Sequence, residues 1–406
     1  MPTGVGGDPV RNIGKLQTPL KRNMTNSHSM ILFTQEDSWH IYKFLISQMI
    51  KVNFMRIAHV APVILPVPPA TYGGTERVIA DLAEAQMELG HEVTLFAAGD
   101  SGLAGAEHVG AYQSLAWHER EDRSVPPGVV AVLQAAQLAD LVQHIARFDV
   151  VHLHGSAHAS ALQGLVPDTP IFRTIHWRAD EADHAAHFAQ FPGERLIAIS
   201  NRQARDIPAE SLVGMVHHGI PLGRYKAGGG EGRYLAFLGR MTDQKRPDRA
   251  IAVARGARMA LKLAGPVDPG NPDYFARVVV PELSHPIEHI GNVTDAEKQD
   301  FLGNAAALIF PIDWPEPFGL VLIEAMACGT PVIAWPRGSV PELVEDGVTG
   351  IIVQSAEEAA ARMPEVLALD RAQIRACFES RFAASRMARE ICELYERTLQ
   401  SVSSPN

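Results

Sequence analysis

Cysteine is scarce: Cys328, Cys377 and Cys392 are the only three in 406 residues, at spacings that fit neither a disulfide framework nor a metal-ligand set. They fall in helix-like sequence and read as small core residues, which favours a reducing, cytoplasmic setting. Catalytic signatures are missing too. There is no Gly-x-x-x-x-Gly-Lys-Ser/Thr phosphate loop, no Gly-x-Gly-x-x-Gly after the first strand, no Gly-x-Ser-x-Gly elbow and no Asp-x-Asp metal pair, which sets aside an ATPase, an NAD enzyme and a serine hydrolase. Positive charge is in deficit, 36 Lys and Arg against 46 Asp and Glu, for a net charge of -10. That argues against a nucleic-acid partner and confines any polyanion contact to a local patch. No apolar run reaches the roughly 18 residues of a membrane span, and no basic-then-apolar leader follows Met1. The expectation is a soluble or peripheral protein.

What is present is globular: 46% hydrophobic and 20% charged residues, with 33 Gly and 28 Pro. The length suits two domains, each with its own core. Residues 1–54 differ, with a Gly/Pro/Asn-rich start, a basic cluster at Lys15, Lys21 and Arg22, and an apolar stretch from Ile41 to Ile50. They read as an N-terminal extension outside the fold, with a peripheral membrane contact as the alternative.

From Met55 the pattern alternates. Arg56 to Ala61 reads as a strand, Arg77 to Leu89 as a helix and Glu92 to Phe96 as a second strand, a unit of the parallel kind. Val125 to Ala146 reads as helix, and Asp149 to His154, Ile171 to His176 and Leu196 to Ser200 as further strands ending in polar residues, as at the ligand-binding edge of a parallel sheet. Gly228-Gly229-Gly230 marks a linker. A second alternating half follows, with strands at Tyr234 to Leu238, Leu261 to Ala264, Ile287 to Ile290, Ala306 to Pro311 and Val332 to Trp335, and a helix from Arg371 to Leu399. Thr294-Asp295-Ala296-Glu297 is a capping box. The domains expected are 55–225 and 226–380, with a helix over 381–406 crossing back to the first.

The densest chemistry lies at Glu316-Pro317-Phe318-Gly319-Leu320 through Glu324 to Gly329-Thr330-Pro331. Pro317 suits a helix's first turn, and Gly329 with Pro331 ends the helix. Phe318, Gly319 and Leu320 are then expected to offer unpaired N–H groups to a phosphate or sugar hydroxyl. Glu324 sits among Leu320, Val321, Leu322, Ile323, Ala325 and Met326, where a carboxylate needs donors. A ribose would supply them, and so would an arginine of the core. Arg240 and Lys245, on one turn after a strand, can converge on a diphosphate or remain solvated surface charges. Gly73-Gly74 suits close backbone approach or a plain tight turn. His152 and His154 share one strand face; His152 reads as structural and His154 as facing the cleft, and a zinc site lacks a third ligand.

Together these residues resemble the retaining glycosyltransferases of family 4. The resemblance rests on Glu316 and Glu324 with Pro-Phe-Gly between them, Gly73-Gly74, Asp149 to His154, His218-Gly219-Ile220, Gly239-Arg240 with Lys245, and Val340 to Val344, in the family's order over about residues 55–400. It implies an α/β GT-B fold, two Rossmann-like doubly wound domains facing across a cleft. It also implies transfer from a nucleotide-diphosphate sugar to a glycan, lipid-linked or small-molecule acceptor, with retention and without a metal or other cofactor. By that likeness Glu324 binds the ribose, Arg240 and Lys245 the diphosphate, and Glu316 with the amides of Phe318, Gly319 and Leu320 the donor sugar. His154 reaches the sugar from the first domain, Gly74 lies beside the β-phosphate, and Asn292 and Val293 meet the base. Arg246 stands where many relatives carry glycine, which bears on the shape of that loop. Non-hydrolysing nucleotide-sugar epimerases and a catalytically silent sugar-nucleotide-binding subunit are the alternatives.

Overall fold

The computed structural model describes residues 53–403, apart from 71–72, 121–125, 127, 156 and 167–168. The basic cluster and apolar stretch of the first 52 residues, Tyr72, Val125 and the last three residues lie outside the described residues. Two wholly parallel sheets carry the fold. The first orders its strands β3-β2-β1-β4-β5-β6-β7: β1 (Arg56–Val60), β2 (Glu92–Phe96), β3 (Glu107–Val109), β4 (Val150–Leu153), β5 (Ile171–Thr174), β6 (Arg195–Ala198) and β7 (Leu212–Met215). The second orders them β10-β9-β8-β11-β12-β13: β8 (Tyr234–Leu238), β9 (Ala260–Ala264), β10 (Ile287–His289), β11 (Ala307–Phe310), β12 (Val332–Ala334) and β13 (Gly350–Ile352). Covered on both faces, the central strands are continuous apolar runs rather than alternating ones. The half-exposed strands β3 and β7, with Glu107, His108 and Gly214, lack that signal and escape sequence reading.

Each sheet reverses its winding beside its first strand, at β1/β4 and at β8/β11. Ligands of doubly wound sheets bind beyond the strands' carboxyl ends at that switch point. The loops after β1, β4, β8 and β11 therefore matter most.

Helix α1 (Gly74–Glu88) packs on the first sheet through Val78 and Leu82, as does α2 (Val129–His144) through Leu141. With a 3₁₀ turn, α2 runs to Arg147, and its 19 residues are long and apolar enough to cross a membrane by length and composition. This corrects the expectation that no stretch reaches that size. Gln134, Gln137 and Asp140 interrupt the apolar run, while Val, Ala and Leu keep the mean hydropathy of the stretch at 1.4.

The second sheet carries α3 (Pro247–Ala257), α4 (Asp295–Gly303) and α5 (Leu320–Ala327). The capping box of Thr294 and Glu297 starts α4 as expected. The single helix expected from Arg371 to Leu399 is two, α6 (Arg371–Arg381) and α7 (Ala384–Ser403). Between them, Phe382 O accepts from Ile220 N at 2.9 Å and Ala384 N donates to Ile220 O at 3.0 Å. Carbonyl and amide groups that a continuous helix would use are taken by Ile220. Past the break α7 buries Met387, Ile391 and Tyr395 against Met55, Ile57 and Phe172 at the first sheet and Leu82 of α1.

Polar contacts stand along the seam between the lobes. Arg77 on α1 pairs with Asp295 on α4. Arg224 grips Asp81 on α1, whose carboxyl burial pushes up to about 6 against that pairing. The Glu342 carboxylate accepts from Asn201 N (2.8 Å), Arg202 N (3.1 Å) and His217 Nε2 (3.2 Å). Burial alone would raise Glu342; these donors hold it below the usual carboxylate range.

Inside the first lobe, Arg173 bonds Glu194 twice, at 2.6 and 2.7 Å, with both side chains almost wholly buried. Arg173→Met leaves a buried carboxylate with only Ser160 and His187 as donors. It is expected to cost about 3–5 kcal/mol in chemical denaturation.

Candidate functional site

The switch point of the second sheet gathers the expected cations and acids. The loop after β8 carries Arg240 and Lys245, and the loop after β11 carries Glu316. Lys245 Nζ meets Glu316 Oε2, and Trp314 Nε1 donates to the same oxygen at 2.7 Å. The ammonium also lies 4.9 Å from the Trp314 ring centroid and 5.6 Å from that of Phe310, so aromatic faces stabilise it and exclude water. Arg240 is half-buried, 4.0 Å from Asp268. Arg246 takes the left-handed conformation, φ 55° and ψ 52°, ahead of Pro247 at the start of α3. The backbone shape that glycine adopts freely is thus kept with an arginine, at a cost on the order of 1–2 kcal/mol. Bonds to Asp248 and Asp313 hold the side chain.

Helix α5 begins at Leu320, not at Pro317. Gly319, the N-cap, sits at φ 89°, a left-handed kink that cannot belong to a right-handed turn. The anchors are elsewhere: Ser339 Oγ donates to Phe318 O at 2.6 Å and Ser339 N to Glu316 O at 3.0 Å. A Cβ on Gly338 would lie 2.2 Å from Glu316 O, so only glycine lets this loop close. Among the described residues the N–H groups of Phe318, Gly319 and Leu320 find no acceptor, and they stand at the positive end of α5.

Glu324 is 8% exposed. Its Oε1 accepts from Lys298 Nζ at 2.8 Å and Tyr225 OH at 3.3 Å. The basic partner is therefore a lysine on α4 rather than the arginine expected of a core carboxylate. Burial would lower Lys298, but Glu324 and then Asp295 raise it. Asp295 also holds Arg77 of the first lobe, so Glu324 stands one ion pair from the seam. Asn292 and Val293 lie on the loop after β10, Asn292 exposed and Val293 packed on the core beside α5.

From the first lobe, Gly74 opens α1, and a Cβ on it would sit 3.2 Å from Leu320 Cδ1. The Gly-Gly turn therefore faces the start of α5 across the seam. Below it His59 of β1, His152 of β4, His154 just after β4, His176 after β5 and His218 after β7 form one cluster. His59 Nδ1 is 2.8 Å from His154 Nε2, and His154 Nδ1 is 3.0 Å from His176 Nε2. His152 bonds Tyr395 OH at 2.5 Å and Thr174 Oγ1 at 2.7 Å, the structural role expected of it. His154 is 4% exposed with both nitrogens engaged. His59 supplies the third ligand that a metal site lacked in the sequence, since ligand atoms of His59, His152 and His154 lie within 4.8 Å of one another. Each of those nitrogens already serves a hydrogen bond, so the set reads as a polar network. His59, His176, Lys298, Trp314, Gly338 and Ser339 were missed. Polar residues at strand ends were the available signal for the two histidines, and there was none for the others.

Two family models match the chain: "Glycosyltransferase Family 4" over residues 72–273 and "Glycosyl transferases group 1" over 226–380. The D-inositol 3-phosphate glycosyltransferase of Streptomyces avermitilis is 28% identical over 347 residues, 71% of this chain and 74% of that protein. That of Mycobacterium tuberculosis is 31% identical over 228 residues, 49% of this chain, and the match spans less than half, 44%, of the mycobacterial protein. Among solved structures, AviGT4, a glycosyltransferase involved in avilamycin A biosynthesis, superposes with a TM-score of 0.65 at 23% identity, covering 85% of this chain and 98% of its own. Anabaena HepE in complex with UDP-glucose does so with a TM-score of 0.60 at 18% identity, covering 86% and 100%. The two lobes thus form a GT-B fold, and the chain is a glycosyltransferase of group 1 and GT-B kind with a family 4 domain.

Proposed function

We propose that this chain transfers a hexosyl group from a nucleotide-diphosphate sugar to a hydroxyl acceptor with retention of anomeric configuration and without a metal ion. The observation that carries the reading is the pairing of Lys245 with Glu316 at the switch point, beside the unpaired amides of Phe318, Gly319 and Leu320. When a donor enters, its diphosphate exchanges places with Glu316 as the partner of Lys245, and Arg240 joins from the same loop. Glu316, freed, accepts from hydroxyls of the sugar. Glu324 turns to the ribose, the loop of Asn292 and Val293 meets the base, and Gly74 borders the β-phosphate with the histidine group of His154 beneath it. The cations and the α5 amides stabilise charge on the departing diphosphate, a type of contact worth about 2.7–4 kcal/mol each. With the leaving phosphate able to take the acceptor's proton, no separate base is required.

The deciding experiment incubates the chain, with and without EDTA, with UDP-glucose, GDP-mannose and ADP-glucose, first without acceptor and then with inositol 3-phosphate, the acceptor suggested by the relatives' names. Binding at a hundredfold excess over Kd is expected to add about 2.7 kcal/mol of stability, seen as a raised Tm. Donor hydrolysis or transfer, an α-linked product from an α-linked donor and indifference to EDTA are the expected results. Interconversion of the sugar would instead mean an epimerase, and tight binding without turnover a silent subunit.

A further inference from the structure

The carboxyl ends of β8 and β11 face the donor grip, and the opposite edge of the same sheet carries a cavity of its own. Its volume is about 770 Å³, within the range of small-molecule sites. Arg233 before β8, Arg258 and Met259 before β9, and Arg371 at the start of α6 line it, with Met363 and Leu367 of the short helix Met363–Leu367. The length of β8, five residues or roughly 16 Å, separates the two edges. Among the described residues no carboxylate lines the cavity, although acidic residues outnumber basic ones in the chain.

The three arginines are not spent on ion pairs. Arg371 donates to the carbonyls of Gly228 (2.8 Å), Ala305 (3.1 Å) and Gly303 (3.0 Å) and to Thr330 Oγ1 (2.7 Å). These acceptors fix the guanidinium but cancel none of its charge, and burial holds it below an arginine's ordinary value. Arg233 and Arg258 are exposed, and neither guanidinium has a partner among the described residues. Both also stand at left-handed backbone, φ 51° and φ 55°, where a side chain is strained and glycine is not. Arg258 caps the end of α3, where helices ordinarily place glycine. An arginine there does meet the negative end of the helix, but that accounts for neither Arg233 nor the uncompensated charge of Arg371.

We propose that this cavity is a second binding site, separate from the donor grip, for a phosphate ester. Arg233 and Arg258 hold the phosphate oxygens through paired N–H groups, and Arg371 supplies fixed positive charge beside them. A phosphate monoester brings roughly two negative charges and three terminal oxygens, enough for two guanidinium forks, where a carboxylate brings one charge and two oxygens. Met259, Met363 and Leu367 carry the ester's apolar part, and Leu367, 51% exposed, has surface to cover. Gly229 and Gly230 of the interlobe linker line the same cavity as Arg371. The bound ester therefore touches both stretches of chain that run between the lobes, the linker and the α6 end of the return through α7.

Equilibrium dialysis with 4-methylumbelliferyl phosphate, and with uncharged 4-methylumbelliferone beside it, tests the site. The parent chain and Lys245→Ala are expected to bind the ester equally, and neither to retain the umbelliferone. Arg258→Gln should bind about tenfold more weakly, and Arg233→Gln/Arg258→Gln about a hundredfold. Arg258→Gly, which keeps the turn, should raise Tm while losing the ester as Arg258→Gln does, a split that a merely structural arginine would not show. Flotation with vesicles of equal parts phosphatidylcholine and phosphatidic acid identifies the source of the ester. Retention of the parent but not the double variant means a lipid headgroup, and no retention of a parent that binds in dialysis means a soluble ester. No saturable binding by the parent, undiminished binding by the double variant, or umbelliferone held as tightly as its phosphate would overturn the inference. So would loss of the ester in Lys245→Ala, which would put it in the donor grip. The transferase reading stands in each case, because the double variant without added ester is expected to turn over donor at the parent's rate.

Discussion

Lys245→Ala is expected to lower turnover at least about a hundredfold while leaving the two-lobed fold intact. The ammonium is half-buried against one carboxylate and two aromatic faces, where a charge counts for more than in water. Losing one such contact with charge that develops on a departing group commonly costs 2.7–4 kcal/mol, about a hundredfold to a thousandfold in rate. Glu316→Ala is expected to lose as much by a different route. It removes the carboxylate proposed to accept from the sugar and leaves Lys245 without its resting partner. Because the two side chains bond each other, the double variant should lose less than the product of the single losses. Steady-state kinetics on all three variants, with Tm measured alongside, checks this. Near-normal transfer by both single variants would contradict the placement of the donor at β8 and β11.

Acidification is expected to unfold the first lobe well before general acid denaturation. Burial lowers His59 to about 4 and His176 to about 3, and burial together with neighbouring histidines holds His152, His154 and His218 well below 6.5. In the unfolded chain all five regain ordinary values near 6.5. Between pH 6.5 and about 4 the unfolded state therefore binds protons that the folded state refuses. Stability is full above pH 6.5 and is lost as pH falls through that window, at roughly 1.4 kcal/mol per pH unit for each histidine. Five groups together reach up to roughly 7 kcal/mol per unit, comparable with the whole stability of a typical domain. Asp81, raised to about 6, and Glu76, also raised by burial, work in the opposite direction, but two carboxyls are outnumbered by five histidines. Chemical denaturation from pH 8 to 5 measures the slope, and His152→Gln should reduce it by about one proton. A stability that stays flat between pH 7 and 5 would mean that the cluster is hydrated rather than buried.

The sequence carried the alternation of strands and helices well wherever strands were central, since a parallel strand buried on both faces is a continuous apolar run. It failed at β3 and β7, whose half-exposed residues lack that run, and at the edge strand β13, whose three residues are too few to make one. The α4 capping box was legible because both partners are three residues apart. The start of α5 was not. Pro317 is compatible with a first helical turn, but a loop more than twenty residues downstream, through Gly338 and Ser339, pulls the chain into another path.

The site divides in the same way. Sequence alone determined which residue types flank the switch points: Arg240, Lys245, Glu316, Glu324, Gly74 and the β4 histidines all stand on short local motifs next to recognisable strands. Only the tertiary structure decided their partners, so that Lys298 reaches Glu324, Trp314 shares Glu316 with Lys245, and Gln86 bonds His59 in a histidine cluster drawn from separate strands. The physical reason is separation along the chain. A motif records what the backbone does within a few residues, whereas buried charges and ring nitrogens take donors from wherever folding brings them, and no local pattern encodes that.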